Sequence, residues 1–447
     1  MPRMSRVPRA GRILGVLALM SVVAVAGACS GTILSGNQSG PVLKIGVDLP
    51  LSGSEGRVAN PALNGIKLYV QQHPTLDGFS VSIEVKDDSV DGVPEPPRGA
   101  ANLQALIGDP AVMAVIGPFD SNIARAEIPV ANTAFMAMIS PVTGSPCLTL
   151  ALYLPAASSP ARAPVTCKQV GLPTAGELRP TGVNNYFRLA TTDDLQGPAA
   201  ADFAFKSLHV LRAATISDHE AYGQALERSF AARFTRLGGN VVGHLDVDPS
   251  GSQDVASFLK RVRADGAQAV YFGGITANGG CVIRSQMTNA FPSGEAAPYL
   301  GGDGIAEDPA CVEQAGSNSA GMYATVPAVD PNFRGSATPV IKAFRTSFPS
   351  PSDYGAYTVV SYDATGVLYA ALDRAIKAAG GRLPARADVI AQLAATQGYS
   401  GATGTIGFDA AGDTTHRALS VYEAAAADPK AAWTLVGEID YTEKLPY

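Results

Sequence analysis

The sequence predicts an α/β protein of two lobes, each a doubly wound parallel sheet. Three observations predict it. The chain has 447 residues, beyond the ~250 to 300 at which a single hydrophobic core stops growing, so two cores are expected. From Val42 onward, short apolar runs alternate with segments of helical period, which is the pattern of strand, crossover helix and parallel strand. The rhythm breaks over residues 144 to 185 and then resumes, giving two series.

In the first series VLKIGVDLP is a strand. Asn60-Pro61 reads as the cap and first position of a helix, where proline's missing donor is harmless. Leu63, Ile66 and Val70 then share one face. VSIEV alternates as an edge strand does. ANLQALIGDP is a helix closed by Gly and Pro, VMAVIGP a buried strand, SNIARAEIPVANT a helix and FMAMISP another buried strand. The interruption, rich in Pro, Ala and Ser, contains Cys147 and Cys167 and reads as a stapled surface excursion. The second series resumes at YFRLATTDDLQGPAAADFAF. It continues with AATIS, a helix from Ala221 to Leu237, NVVGHLDV, a helix around Phe258 and Val262, AVYFGG, a helix from Cys281 to Met287, PYLGGDG and GMYATV. A long helix from about Tyr357 to Ala379, GTIGFDAAGD and two terminal strands follow. They are too short for a third domain and complete the first two.

Composition excludes several classes of function. Hydrophobic residues make up 46% and charged residues 16%, so the chain folds rather than remaining a solvated polyelectrolyte. A formal charge of -6 gives no field for phosphate backbones, and no interleaved aromatics suit a single strand, so nucleic acid is not a partner. The histidines, His73, His209, His219, His244 and His416, are scattered. His219-Glu220 starts like a zinc-protease helix, but Gly223 stands where the second histidine is needed. No nucleophile elbow, phosphate-binding loop or dinucleotide fingerprint is present. No enzyme, cofactor or metal site is expected.

The first residues are an address. Arg3, Arg6, Arg9 and Arg12 precede ILGVLALMSVVAVAGA, a stretch too short to span a bilayer comfortably and typical of a signal peptide over residues 1–28. It ends in Ala26-Gly27-Ala28-Cys29, which resembles the lipobox of bacterial lipoproteins. That implies a lipid on Cys29 and anchoring to the outer face of the cell membrane; cleavage that releases a free protein is the alternative. SGTILSGNQSG then reads as a flexible tether, with residues 29–41 as the lipidated linker. Of five cysteines, assigning Cys29 to lipid leaves four in an oxidising setting. Pairing by proximity gives Cys147 with Cys167 and Cys281 with Cys311. Zinc is the competing reading, but there is no CxxC and no nearby histidine pair.

In open α/β sheets, ligands sit beyond the carboxyl ends of the strands, and several strands here run into polar turns. VMAVIGP leads to Phe119-Asp120-Ser121-Asn122, with Ser121 or Asn122 at a helix N-terminus whose free donors and dipole suit a carboxylate; alternatively Ser121 merely caps that helix. FMAMIS leads to Pro141-Val142-Thr143-Gly144, and YLGGDG sets Asp303 in a Gly-rich turn where it balances a ligand ammonium or serves the turn itself.

NGIKL, VIGPFDSN, MISP, TTDDLQGPAAA, EAYGQAL, AVYFGG, LGGDGI, GMYATVP, SYDA and GTIGFDAAGD, in that order from about Val42 to Asp413, resemble the type I periplasmic binding proteins, specifically the leucine/isoleucine/valine-binding receptors of ABC transporters. The resemblance implies two lobes joined by three hinge crossovers, 42–189 plus 327–410 and 190–326 plus 411–447. It implies hinges near Leu189, Val326 and Phe408, and a small ligand clamped between the lobes. Carried over, Ser121 and the backbone of Val142, Thr143 and Gly144 hold a ligand carboxylate. Tyr222 and Asp303 face it from the second lobe, Asp303 pairing with the amine. Tyr357 shapes the side-chain pocket. Val58 and Ile275 fall where aromatics are frequent, and Gly144 where a threonine hydroxyl is usual, for which Thr143 or Ser145 compensates. The expected function is a solute receptor, a monomer, handing an amino acid, amide or similar ligand to a membrane permease. A sensory module using the same cleft and an amidase-like enzyme are the alternatives.

Overall fold

The computed structural model describes residues 40–53, 55–154, 165–247, 254–291, 297–306, 308–424 and 433–446. The leader, Cys29 and residues 30–39 of the tether lie outside the described residues.

The first sheet is built from β1 (Val42–Leu49), β2 (Phe79–Asp87), β3 (Val112–Ile116), β4 (Ala137–Ser140) and β5 (Tyr186–Arg188). Their spatial order is β5-β4-β3-β1-β2 and every pair is parallel. Thr75–Leu76 pairs antiparallel on the outer side of β2, so VSIEV lies one short strand from the edge. The apolar runs of β1 and β3 are long and unalternating because helices cover both faces, and Leu43, Ile45, Val47, Met113 and Val115 are all buried. Helices α1 (Gly56–Gln72), α2 (Pro96–Gly108) and α3 (Ser121–Thr133) supply the crossovers.

Helix α1 starts at Gly56 and not at Pro61, which lies inside it. The donor that Pro61 lacks would have met the carbonyl of Arg57, an exposed residue of the first turn, so the loss falls where water reaches. Asn60 turns its amide back to the carbonyls of Gly56, at 2.6 Å, and Leu51, at 3.0 Å.

The second sheet contains β6 (Arg212–Ser217), β7 (Asn240–Asp246), β8 (Ala269–Gly273), β9 (Tyr299–Gly301), β10 (Met322–Val326), β11 (Ala418–Glu423) and β12 (Thr434–Asp440). Their order is β7-β6-β8-β9-β10-β11-β12; the first five are mutually parallel and the last two antiparallel. Helices α4 (Asp193–Asp202), α5 (Ala221–Arg236), α6 (Val255–Ala264), α7 (Gly280–Met287) and α8 (Pro309–Ala315) belong to this half. Between β10 and β11 the chain returns to the first half as α9 (Thr338–Ser347), α10 (Thr358–Ala378) and α11 (Arg386–Ala394). Helix α10 packs along α1 and α11 along α10. Gly65 makes the first contact possible, since a Cβ there would lie 2.0 Å from the Thr358 carbonyl oxygen.

The chain thus passes between the sheets three times: after β5, after β10 and before β11. These passages bond to one another. The Arg188 N–H donates to Gly412 O at 3.0 Å and Thr191 N–H to Pro327 O at 3.2 Å, while Thr191 Oγ1 donates to Ala418 O at 3.3 Å.

Both expected disulfides are formed. Cys281–Cys311 joins α7 to α8, with Cα atoms 5.1 Å apart. Cys147–Cys167 closes the excursion, at 5.7 Å. Around it Tyr153 and Leu172 pack against Ala225 of α5, so an extension of the first half rests on the second.

Candidate functional site

Strands β5 and β10 end where the chain crosses over, so the carboxyl ends of both parallel sheets face the crossovers and the turns beyond them meet. In the first lobe the organising residue is Ser140 at the end of β4. Its buried Oγ donates to Pro118 O at 2.8 Å, at the exit of β3, and accepts the N–H groups of Val142 at 3.2 Å and Thr143 at 3.0 Å. Thr143 turns its hydroxyl inward, to Ser140 Oγ at 3.0 Å and to Tyr186. Ser121 opens α3 and its Oγ accepts the N–H of Ser145 at 3.2 Å. Asn122 beside it is exposed and meets Arg125. Arg188, fully buried, braces this loop from beneath. Its Nη1 donates to the carbonyls of Thr143 at 3.2 Å and Ser145 at 2.8 Å, its Nη2 meets Thr149, and its Nε pairs with Asp413 at 2.6 Å.

In the second lobe the turn after β9 presents Asp303. Its Oδ1 accepts Tyr222 OH at 2.6 Å and Gln196 Nε2 at 2.8 Å. Tyr222 OH in turn accepts the Gly304 N–H at 3.1 Å, and burial, then Asp303 and Asp193, push this phenol well above the usual range. Ile275, just past β8, donates its N–H to Asp218 at 3.2 Å and lies against Gly304, where a Cβ would meet Ile275 Cγ2 at 2.9 Å.

Among the described residues, two hydrogen bonds reach from one lobe to the other at these turns. Tyr357, the residue before α10, donates its hydroxyl to Asp303 Oδ2 at 2.5 Å, while its ring meets Phe119 edge to face at 5.5 Å. The N–H of Asp193, first residue of α4, donates to Gly144 O at 2.8 Å. Gly144 leaves the room that the Asp193 carboxylate fills, since a Cβ would stand 1.9 Å from Asp193 Oδ1. Val58 sits half-buried in the first turn of α1, its N–H on Glu55 O at 3.0 Å. Tyr222, Asp303 and Tyr357 therefore form one bonded group, and Ser121 and the 142–145 loop another. Asn122 and the Thr143 hydroxyl turn away from both.

Residue-by-residue sequence reasoning missed a ring of acids. Burial, then Asp308 and Asp303, raise the Glu55 carboxyl. Burial, then Glu55 and Asp303, push Asp120 up to about 7, and its Oδ2 is buried without a hydrogen-bond partner. Asp193, 1% exposed, is raised well above the carboxylate range by burial, then by Asp303, with Arg188 opposing; its Oδ2 also lacks a partner. The signals were present: FDSN held Asp120 beside Ser121, and TTDDLQG placed two acids in the first turn of a helix. Among the described residues no group of three His, Cys, Asp or Glu side chains is arranged to hold a metal ion, and no helix is long and apolar enough to cross a membrane. A shallow hollow at Arg212, Asn240 and Asp265 opens at the opposite, amino ends of β6 and β7.

A two-lobed α/β architecture with polar turns meeting at a hinged cleft defines a solute-binding protein. The profile of the periplasmic binding protein family matches residues 42–429, and the chain belongs to that family, whose members bind solutes rather than transform them. It is 26% identical over 384 residues to the Leu/Ile/Val-binding protein homolog 3 of Brucella melitensis, covering 85% of this chain and 91% of that protein. Its fold matches a leucine-binding protein from Thermotoga maritima with a TM-score of 0.69 at 24% identity, covering 89% of this chain and 99% of the other. It also matches a solute-binding protein of Rhodopseudomonas palustris HaA2 in complex with p-hydroxybenzoic acid, with a TM-score of 0.69 at 17% identity, covering 89% and 97%.

Proposed function

We propose that this chain is the extracytoplasmic receptor of an ABC importer and that it holds a small, amine-bearing polar ligand between its lobes by hinge closure. The observation that carries the reading is the Tyr357–Asp303 bond, a donor of one lobe on the carboxylate of the other. A carboxylate offers about four acceptor positions; Gln196, Tyr222 and Tyr357 occupy three, leaving one on Oδ2 for a ligand N–H. In this reading the lobes are 42–189 plus 327–410 and 190–326 plus 411–447, hinged near Leu189, Val326 and Phe408. Closure is favoured by contacts that only the closed form makes. Cys29 carries the lipid, the receptor is a monomer, and the closed form is the shape a membrane permease recognises.

Thermal-shift and calorimetric screening against amino acids, amides, short peptides and aromatic acids tests it. Micromolar binding corresponds to ~8 kcal/mol, which a few charge-assisted hydrogen bonds and apolar contacts supply. Asp303→Ala is expected to weaken an amine-bearing ligand by ~1 to 3 kcal/mol; unchanged affinity removes Asp303 from the contacts. Deleting the gene is expected to abolish uptake of the ligand, and intact uptake favours the sensory module instead.

A further inference from the structure

Hydrogen-bond donors and acceptors are unequally available on the two walls of the cleft. Four of the donors beside Gly144 that would meet a ligand carboxylate are already engaged. The N–H groups of Val142 and Thr143 go to Ser140 Oγ, that of Ser145 goes to Ser121 Oγ, and the Thr143 hydroxyl is held by Ser140 and Tyr186. The space against Gly144 is filled by a carboxylate belonging to the protein, since Asp193 Oδ1 lies where a Cβ would come within 1.9 Å.

Acceptors, by contrast, are left over. Asp193 is 1% exposed and its Oδ2 is unpartnered. One turn along the same helix Gln196 reaches Asp303, which ties that carboxylate to the centre of the cleft. The Oδ2 of Asp120 is buried and unpartnered from the opposite lobe. The guanidinium that acts on Asp193, Arg188, already serves Asp413, Thr149 and the carbonyls of Thr143 and Ser145. Acidic groups come in from both walls, Glu55 and Asp120 from one and Asp193, Asp303 and Asp308 from the other, and burial makes an unbalanced anion expensive. A second carboxylate brought in by a ligand beside Asp193 would be one more buried anion in a site where burial already disfavours the charged form of the protein's own acids. An ammonium without a carboxylate supplies a balancing charge and N–H donors for the unpartnered Asp193 Oδ2 and Asp120 Oδ2.

Resting on the receptor reading above, we propose that the cleft selects a small organic cation carrying no carboxylate of its own, a primary alkyl- or arylalkylamine, and that the Asp193 side chain occupies the place of a ligand carboxylate. Isothermal titration and thermal melting of the purified protein with matched probes test this: isopentylamine against leucine, 2-phenylethylamine against phenylalanine, and 4-hydroxybenzoate alone. Each amine is expected to bind at least ~10-fold more tightly than its amino acid, the scale of one lost charged hydrogen bond, and 4-hydroxybenzoate is expected to give no shift. Equal or tighter binding of leucine, phenylalanine or 4-hydroxybenzoate overturns the inference and leaves the receptor reading standing; silence from both amines at millimolar concentration overturns the inference, and only silence across the whole panel of amino acids, amides, short peptides and aromatic acids overturns the receptor reading. Asp193→Asn keeps the side chain's shape and removes its charge. It is expected to melt no lower than the parent and to weaken the amine by about 10- to 100-fold; an unchanged amine affinity in a folded Asp193→Asn protein removes Asp193 from the site and overturns the inference.

Discussion

Arg188 and Asp413 show how much of the site depends on single residues that touch no ligand. Arg188 is wholly buried, and Asp413 is the carboxylate that neutralises it at 2.6 Å. Removing one partner of such a pair leaves an uncompensated charge in the interior, which costs about 3 to 5 kcal/mol. Asp413→Ala is therefore expected to lower unfolding free energy by about that much in urea titration, and to loosen the 143–145 loop whose carbonyls Arg188 holds. A loss below about 1 kcal/mol would mean that water reaches the guanidinium. Such roles divide the legible from the illegible. Tyr222 and Tyr357 came only from the family resemblance, whereas the place of Asp303 was readable, because a short polar turn after a strand fixes where a side chain emerges. Thr143 and Asn122 were not: the first is drawn inward by Tyr186, 43 positions away, and the second outward to Arg125. Asp193 was hidden differently, because two acids opening a helix read as ordinary N-terminal charge until burial is known.

At the scale of elements, the buried strands were read to within a few residues, because a two-face-buried parallel strand leaves a short apolar run bounded by polar turns. Helix starts were less legible. Pro61 carried the signature of a first position yet lies inside α1, since the carbonyl left without its donor belongs to the exposed Arg57 in the first turn. The excursion was legible as stapled but its resting place was not, because the contact of Tyr153 and the disulfide with Ala225 joins segments of different lobes. That contact gives the Cys147–Cys167 bridge a role beyond its own loop. For the closed loop of 20 residues, chain entropy assigns about 3 kcal/mol. The double variant Cys147→Ser with Cys167→Ser is expected to lower stability by about that amount, read in thermal melts, and to raise protease sensitivity between residues 147 and 172. Melting at the parental temperature would show that packing on α5 alone holds the excursion.

At the scale of the whole molecule, the acids decide how stability follows pH. Beneath the cleft Asp48, Asp88 and Glu127 share one buried region. Asn102 donates to Asp48 Oδ1 at 2.9 Å and Glu127 shares a side-chain hydrogen bond with Asp48, while both carboxyl oxygens of Asp88 are without partners. Burial pushes Asp48 up to about 6, and burial with its acidic neighbours pushes Asp88 up to about 8; Glu127 is raised well above its usual value, first by burial. Each of these groups keeps a proton in the folded chain that it loses when unfolded, so its stabilising share is complete below the unfolded value near 4 and disappears as pH rises through the folded one. The sign is opposite for Glu84, Asp87, Asp109 and Asp254, which are lowered and whose share disappears as pH falls below about 4. The two trends place maximum stability near pH 4 to 5, below the usual range of about 5 to 8. Each proton held only by the folded chain is expected to lower unfolding free energy by about 1.4 kcal/mol per pH unit above the unfolded value near 4. Urea titrations between pH 4.5 and 8.5 measure that slope directly, and Asp88→Asn, which keeps the shape and removes the titration, is expected to flatten it above pH 6. A stability that rises across this interval would mean that these carboxylates are ionised and solvated in the folded protein. The same measurement with a bound amine connects the two scales, because a cation beside Asp120 and Asp193 favours their charged forms and would move the maximum toward neutral pH.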